Sequence, residues 1–540
     1  MKLFSIFCLL ILGHNCQAQP ADFVFYNGKI FTSDKKKLYV EALAVSKNII
    51  AATGTNKEIL TLAGPATKRI NLEGKTVVPG FNDAHMHHVP LYIGRYISFS
   101  PDGTGSPARS VLEDSIIRVA RTLPKGTWIH ASLGPETIMD TSLNRFSLDE
   151  LAPDHPIHLW SYWGHVGVFN SAALKTLQLL NDPPEIKAGF YGRVTTNNEL
   201  DGRIYDNTQY LSPVLETLTD KEAFARSLKT LAEEALQYGV TSLQNMCTFA
   251  SPDTYAEMWQ KVGLPIRFRA IAWADMDRNG KLLIPPVKKP KSPPGLPLMT
   301  ISGTKWMIEG TPLEKHAYYS AGYNEPPGWS GIAYHTTSEL KQMLTDAATR
   351  SDQPMFHISG DSMINVLLQA MNGLPLSVAK NMRVRIEHGD GISKKLLREL
   401  VAKGIVVVVN PVHPSQDTSI HFLKDYADKK FNLVKSLVAA GIPTAIGSDG
   451  PLNPFLNIML AMIRPVENLS CEEAVIAYTS TAAYAEFAEK QKGTLEKGKL
   501  ADLVVLSQDI FTIPPPQLMA TKVFLTMVDG TVGYQIPGFQ

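Results

Sequence analysis

Eight short, nearly continuous apolar runs constrain this chain more than any other feature. The first is TVVPGF (76–81), followed by GVTSLQNM (239–246), PIRFRAIAW (265–273) and MTISGTKWMIEG (299–310). PMFHISGD (354–361), RVRIEHGD (383–390), GIVVVVNP (404–411) and IPTAIGSDG (442–450) complete the set. Runs of this kind read as strands buried on both faces, the situation of strands in a parallel sheet. Segments of helical period separate many of them, such as 221–239, 338–351 and 393–404. Eight β/α alternations predict an α/β fold, a TIM-type (β/α)8 barrel, over residues 76–489. Residues 90–220 are surplus after the first strand and are expected to form a cap or subdomain over the barrel mouth. Both ends of the chain read as short strands with glycine turns. DFVFYNGKIFT breaks at Asn27-Gly28, a type I′ hairpin signal. Residues 19–75 and 490–540 are therefore expected to build one small β-sandwich together. The Pro-rich stretch 285–297 reads as a surface loop.

The extreme N-terminus carries a different signal. Lys2 precedes an apolar run, LFSIFCLLILG, that is too short to span a bilayer and suits a secretory leader. CQA (16–18) fits a small-x-small cleavage site, so residues 1–18 are expected to be removed and the mature protein to be secreted or periplasmic. Lipid anchoring through Cys16 is the rival reading, disfavoured by the preceding His14 and Asn15. Cys247 and Cys471 remain, too few for a disulfide framework, and are expected to be buried apolar side chains. The net charge is +1 and no basic tract stands out, which argues against a nucleic-acid partner or a polybasic membrane patch. No later stretch reads as a membrane span. The partner expected is a small molecule, and a homo-oligomer is compatible with this composition.

Chemistry in such a barrel sits at the C-terminal ends of the strands. Four of the 14 histidines fall there: His85, His87, His357 and His388. Asp449 ends the eighth strand, and Lys305 lies on the fourth. His85 and His87 are two apart, so on an extended strand they face the same way and make a chelating pair for zinc or a similar ion. His357, His388 and Asp449 could close the coordination shell. His88 has no such support and reads as a residue backing the ligands or as structural.

These motifs resemble the amidohydrolase superfamily, in particular the amidohydrolase-3 or YtcJ-like branch related to N-substituted formamide deformylases. VVPGFNDAHMH, HISGD, RIEHGD, IGSDGP and GTLEKGKLADLVVLS occur in that branch's order, and WGHVGVFNSAAL (163–174) resembles a segment of its insertion. The resemblance implies His85, His87, His357, His388 and Asp449 as metal ligands or their immediate neighbours. It also nominates Lys305, whose carbamate bridges two metals in many superfamily members. One or two divalent ions, most simply zinc, would then generate hydroxide to attack a carbonyl carbon. Asp449 would carry the proton, and His165, in the family-like insertion segment, would donate to the oxyanion. The branch usually has Asp at Glu309 and Arg at Lys315; with Trp163 and Trp306 these are the expected substrate-side residues. Further aromatics, Trp160, Tyr162, Tyr318, Tyr319, Tyr323 and Trp329, fall in segments placed near the mouth. The expected activity is cleavage of a C–N amide-type bond in an N-acyl or N-formyl compound, with an aromatic group suiting the lining. An esterase, lactonase or isomerase would use the same metal site, and a binding protein would retain it without turnover.

Overall fold

The computed structural model describes residues 20–539 except positions 102, 187, 207, 277–291, 325, 414–432 and 465. The expected leader, Cys16 included, and most of the Pro-rich loop lie outside the described residues.

Eight strands form one parallel sheet that curls into a barrel: Phe81–Met86, Val240–Cys247, Arg267–Trp273, Met299–Met307, Pro354–Ile358, Arg385–His388, Val406–Val409 and Thr444–Ile446. Strands one and eight are joined at their C-terminal ends. Ser448 N donates to Asp83 Oδ1 at 2.9 Å, and Asp449 N donates to the His85 carbonyl at 2.9 Å. Strand two is buried at every position, its polar Thr241, Ser242, Gln244 and Asn245 included, as expected of a strand covered on both faces. The helices cover the outer face. Lys221–Gln237 begins where the Asp220 side chain accepts from Ala223 N, and it turns Phe224, Leu228, Ala232 and Ala235 into the core. Thr337–Arg350 opens with a Thr336/Glu339 capping box. Cys247 and Cys471 are buried and unbridged. No helix among the described residues is long and apolar enough to cross a membrane.

Two further sheets pack face to face. One is four-stranded, in the order Ile49–Gly54, Ala42–Ser46, Ala21–Tyr26, Ala63–Asn71. The other is six-stranded and joins both ends of the chain: Thr531–Gln535, Val523–Val528, Leu503–Leu506, Thr76–Pro79, Lys29–Phe31, Tyr39–Val40. Phe25, Leu43, Val77, Leu503 and Leu525 fill the space between them.

The structure departs from two expectations. Asn27-Gly28 does not close a hairpin, because Ala21–Tyr26 and Lys29–Phe31 belong to different sheets. Only Asn27 has a positive φ, of 57°, whereas a type I′ turn needs two such residues. Gly28 is there for close approach: a Cβ would stand 2.2 Å from Leu72 Cδ1. The run TVVPGF is likewise split between sheets. Thr76–Pro79 pairs antiparallel with Leu503–Leu506, and the barrel strand begins at Phe81. Gly80 makes the crossing, since a Cβ there would lie 2.2 Å from the Thr241 hydroxyl. The barrel therefore starts after Gly80 rather than at residue 76.

Between barrel strands one and two the chain builds a third sheet, six-stranded, in the order Phe190–Arg193, Leu200–Tyr205, Val166–Phe169, Ile157–Ser161, Ile129–Leu133, Arg95–Ile97. It has its own core of Leu112, Ile116, Ile129, Leu148, Leu159 and Val168. Its Tyr162–His165 turn reaches the barrel mouth, where Tyr162, Trp163 and His165 line the central cavity.

Candidate metal centre and active site

The barrel mouth opens into a cavity of about 630 Å³. His87, His357, His388, Lys305 and Asp449 line it, and fully buried His85 stands directly behind. The two histidines of the first strand meet as their spacing predicts, with His85 Nε2 and His87 Nε2 3.3 Å apart. Asp449 faces both: Oδ2 is 3.7 Å from His85 Nε2, and Oδ1 is 3.7 Å from His87 Nε2. The His357 and His388 ring centroids are 4.5 Å apart, and those of His85 and His388 5.0 Å.

The outer nitrogens fix which way the lone pairs point. Glu387 Oε2 lies 2.6 Å from His85 Nδ1 and can only accept, so the proton sits on Nδ1 and Nε2 is left bare. His388 Nδ1 faces Asn410 Oδ1 at 2.8 Å, and that amide is oriented by its own Nδ2 donating to Gly447 O. His87 Nδ1 is 2.9 Å from Thr248 Oγ1. His357 Nε2 is buried with no hydrogen-bond partner among the described residues. Burial lowers all four rings, His87 to about 3, which keeps the imidazoles neutral as ligation requires. His85 Nε2 presents its lone pair 3.3 Å from His87 Nε2, a spacing that a shared cation would bridge. A tetrahedral ion with metal–nitrogen bonds of about 2.0–2.1 Å places its nitrogens about 3.3 Å apart. The donor set therefore fits a divalent metal.

Buried charge completes the floor. Glu387 is fully buried, and although burial opposes its ionisation, Arg385 and His85 hold it well below the usual carboxylate range. Burial lowers the Lys305 amine to about 8 against the pull of Glu387 and Asp449. Burial likewise opposes the charge on Asp449, and its contacts with His85, His413 and His87 outweigh it. His388 and Asp449 both have positive φ, 73° and 39°, a strain that side chains held by surrounding structure tolerate at functional sites.

His413 escaped the sequence reading. Its Nε2 lies 3.3 Å from Asp449 Oδ2 and lines the cavity. Desolvation works to lower His413, but Asp449 raises it to about 9. It sits three residues beyond Asn410, past the end of the seventh apolar run, so strand patterning did not flag it. His88 is held by structure: its backbone N donates to Asn245 Oδ1, and its Nε2 lies 3.1 Å from Ser227 Oγ.

Three expected substrate-side residues are elsewhere. Trp306 is 6% exposed and packs in the core between barrel and helices. Strand alternation sends Lys305 inward and Trp306 outward. Trp306→Ala is expected to destabilise the fold by about 3–5 kcal/mol while leaving KM nearly unchanged; chemical denaturation with steady-state kinetics checks both. Glu309 is fully buried and accepts backbone N–H groups of Tyr318 (2.5 Å), Ser359 (2.7 Å) and Gly360 (2.8 Å). Burial pushes it up to about 8 against those donors, and its role is to pin the loop after strand four. Lys315 is not part of the cavity lining, and its carbonyl accepts from Trp329 Nε1. Tyr319, Tyr323 and Trp329 pack on one another in that loop, leaving Tyr162 and Trp163 as the expected aromatics that reach the cavity. Trp273, not anticipated, joins them.

A parallel barrel whose rim gathers neutral imidazoles around a carboxylate and a buried lysine is the architecture of a metal-dependent hydrolase. The chain belongs to the amidohydrolase family, whose model, described as Amidohydrolase family, matches residues 68–534. It is 25% identical to the putative amidohydrolase YtcJ of Bacillus subtilis (strain 168), over 95% of this chain and 99% of that protein. It is 24% identical to the N-substituted formamide deformylase of Arthrobacter pascens, over 96% and 99%. An uncharacterized metal-dependent hydrolase from Pyrococcus horikoshii OT3 shares the fold with a TM-score of 0.69 at 20% identity, covering 92% of this chain and 99% of that one.

Proposed function

We propose that this hydrolase cleaves the C–N bond of a small N-acyl or N-formyl amide carrying an apolar or aromatic group, and that it acts outside the cytoplasm after removal of residues 1–18. The observation that carries the reading is the cavity itself. Its base holds the histidine–aspartate cluster, and its walls include Met86, Tyr162, Trp163, Phe249, Trp273 and Met307. A cavity mixing apolar walls with a few convergent polar groups suits a small uncharged ligand with one reactive polar bond. The similarity to a protein named N-substituted formamide deformylase points the same way.

His85, His87, His357, His388 and Asp449 would hold a divalent ion, and the nitrogen-rich set favours zinc. When bound, the ion polarises the substrate carbonyl and brings the acidity of water near neutrality. Lys305, with its amine lowered to about 8 by burial, has the neutral form that adds carbon dioxide with loss of a proton, and the resulting carbamate would supply an anionic ligand to the centre. Asp449 accepts the proton of the attacking water and delivers it to the leaving nitrogen. His413, paired with Asp449 at 3.3 Å, keeps that carboxylate oriented. His165 faces the base from the cap, its ring centroid 5.4 Å from that of His357. Burial opposes its charge, but Asp206, Glu314 and Asp449 raise it above the ordinary histidine value. As an imidazolium it donates from Nε2 to the developing oxyanion.

A panel of N-formyl and N-acyl arylalkylamines, N-acyl amino acids and aryl esters tests the reading. Turnover is expected on the amides, falling at least about 100-fold after chelation and returning with added zinc. Turnover confined to the esters, or amide turnover indifferent to chelator, would overturn it.

A further inference from the structure

Asp206 belongs to the cap and follows directly on the Leu200–Tyr205 strand. It is 1% exposed and holds a left-handed backbone, φ 51°, a conformation aspartate tolerates better than most residues. Three donors converge on its carboxylate. His165 Nδ1 lies 2.5 Å from Oδ1, Tyr334 Oη donates to Oδ2 at 2.6 Å, and His316 Nδ1 is 3.4 Å from Oδ2. A second tie joins the same pair, since Asp206 N donates to the His165 carbonyl at 2.9 Å. His165 thus has its backbone and its ring fastened to one residue.

The donors come from two bodies of structure. His165 is on the cap, just ahead of the Val166–Phe169 strand that pairs with Leu200–Tyr205. His316 and Tyr334 belong to the loop after the fourth barrel strand. Gly310, at the base of that loop, leaves the carboxylate its seat: a Cβ there would stand 2.6 Å from Asp206 Oδ2. The Tyr334 amide also donates to Ile308 O at 2.9 Å, anchoring that end of the loop to strand four. Glu314 lies beside both His165 and Asp206, with one oxygen bound by the Trp163 indole and the other by Thr311 Oγ1. The carboxylate oxygens of Asp206 and Glu314 are each engaged by protein donors. The cluster is therefore a hydrogen-bond network rather than a cation site.

We propose that Asp206 is the positioning residue of the active site. It clamps the cap to the strand-four loop and holds the His165 ring with Nδ1 turned away and Nε2 turned into the cavity. Seating of the cap and aim of the oxyanion donor are then one event. The proposal rests on the role given to His165 above and goes beyond it in naming what aims the ring. An orienting partner of this kind is worth about 10- to 100-fold in activity when removed.

The test uses the full mature chain loaded with zinc. Asp206→Asn is expected to lower kcat about 10- to 100-fold while KM changes less than about threefold. In a His165→Asn background the same change should add almost nothing, because both act through one ring. Nitrogen-15 spectra of histidine-labelled protein, with the His165 signal identified by its loss in His165→Asn, should show the ring nitrogens altered in Asp206→Asn. Tyr334→Phe removes one donor to Asp206 without touching the ring, and should reproduce a smaller kcat loss if Asp206→Asn does not fold. Unchanged kcat in Asp206→Asn or, failing that, in Tyr334→Phe would overturn the proposal, as would additive losses in the double variant. If His165→Asn itself keeps full activity, the oxyanion role falls instead, and the ring spectrum of Asp206→Asn still decides whether Asp206 aims the ring.

Discussion

Asp449→Asn is expected to lower kcat by about 1,000-fold with little change in folding stability. The carboxylate faces both nitrogens of the first-strand pair, at 3.7 Å each, and His413 at 3.3 Å. An amide in its place keeps the shape but removes the negative charge and the proton acceptor. Two losses should appear together: weaker metal retention, because one anionic ligand is gone, and slower chemistry in whatever fraction stays loaded. Elemental analysis beside steady-state kinetics separates them. A variant retaining a tenth or more of kcat would show that the proton moves through another group, with His413 next in line.

The second large effect is on stability. Arg385→Met is expected to cost about 3–5 kcal/mol, read by chemical denaturation. Arg385 is fully buried and donates to Glu387 Oε1 at 2.7 Å, Glu387 Oε2 at 3.0 Å, Gln244 Oε1 at 2.7 Å and the Ala84 carbonyl at 2.7 Å. Methionine fills much of the volume but leaves Glu387 as a buried carboxylate stripped of its main counter-charge. The same carboxylate sets the proton on His85 Nδ1, so metal affinity should fall as well. Pairing Arg385→Met with Glu387→Gln should recover part of the stability, since the penalty lies in the uncompensated charge. A loss below about 1 kcal/mol in the single variant would mean that Glu387 does not carry its charge there.

The legible parts of this chain were those written in short periods. Nearly continuous apolar runs mark strands covered on both faces, and seven of the eight contain a barrel strand. The first failed at its start, because TVVPGF reads the same whether Val77 and Val78 pack in the barrel or in the neighbouring sheet. Apolar pattern records burial and not which sheet supplies the cover. His85 and His87 were legible as a pair because strand alternation aims them alike. The same rule, applied one residue on, separates Lys305 from Trp306, and neglecting it put Trp306 on the wrong side of the wall. Asn27-Gly28 carried a turn signal that was real as a bend and wrong as a hairpin, since a bend does not specify the partner of the strand it feeds.

His413 and Asp206 were out of reach for a different reason. His413 meets Asp449 across 36 positions and Asp206 meets His165 across 41, and neither lies in a run with a period of its own. By itself the order of residues determined the barrel, the paired ends and the imidazoles of the first strand, because burial and alternation act between neighbours in the chain. Only the tertiary structure decided which carboxylate each histidine faces and which aromatics reach the cavity. Those contacts depend on the register of distant strands and on how the cap seats, which packing across the whole molecule sets.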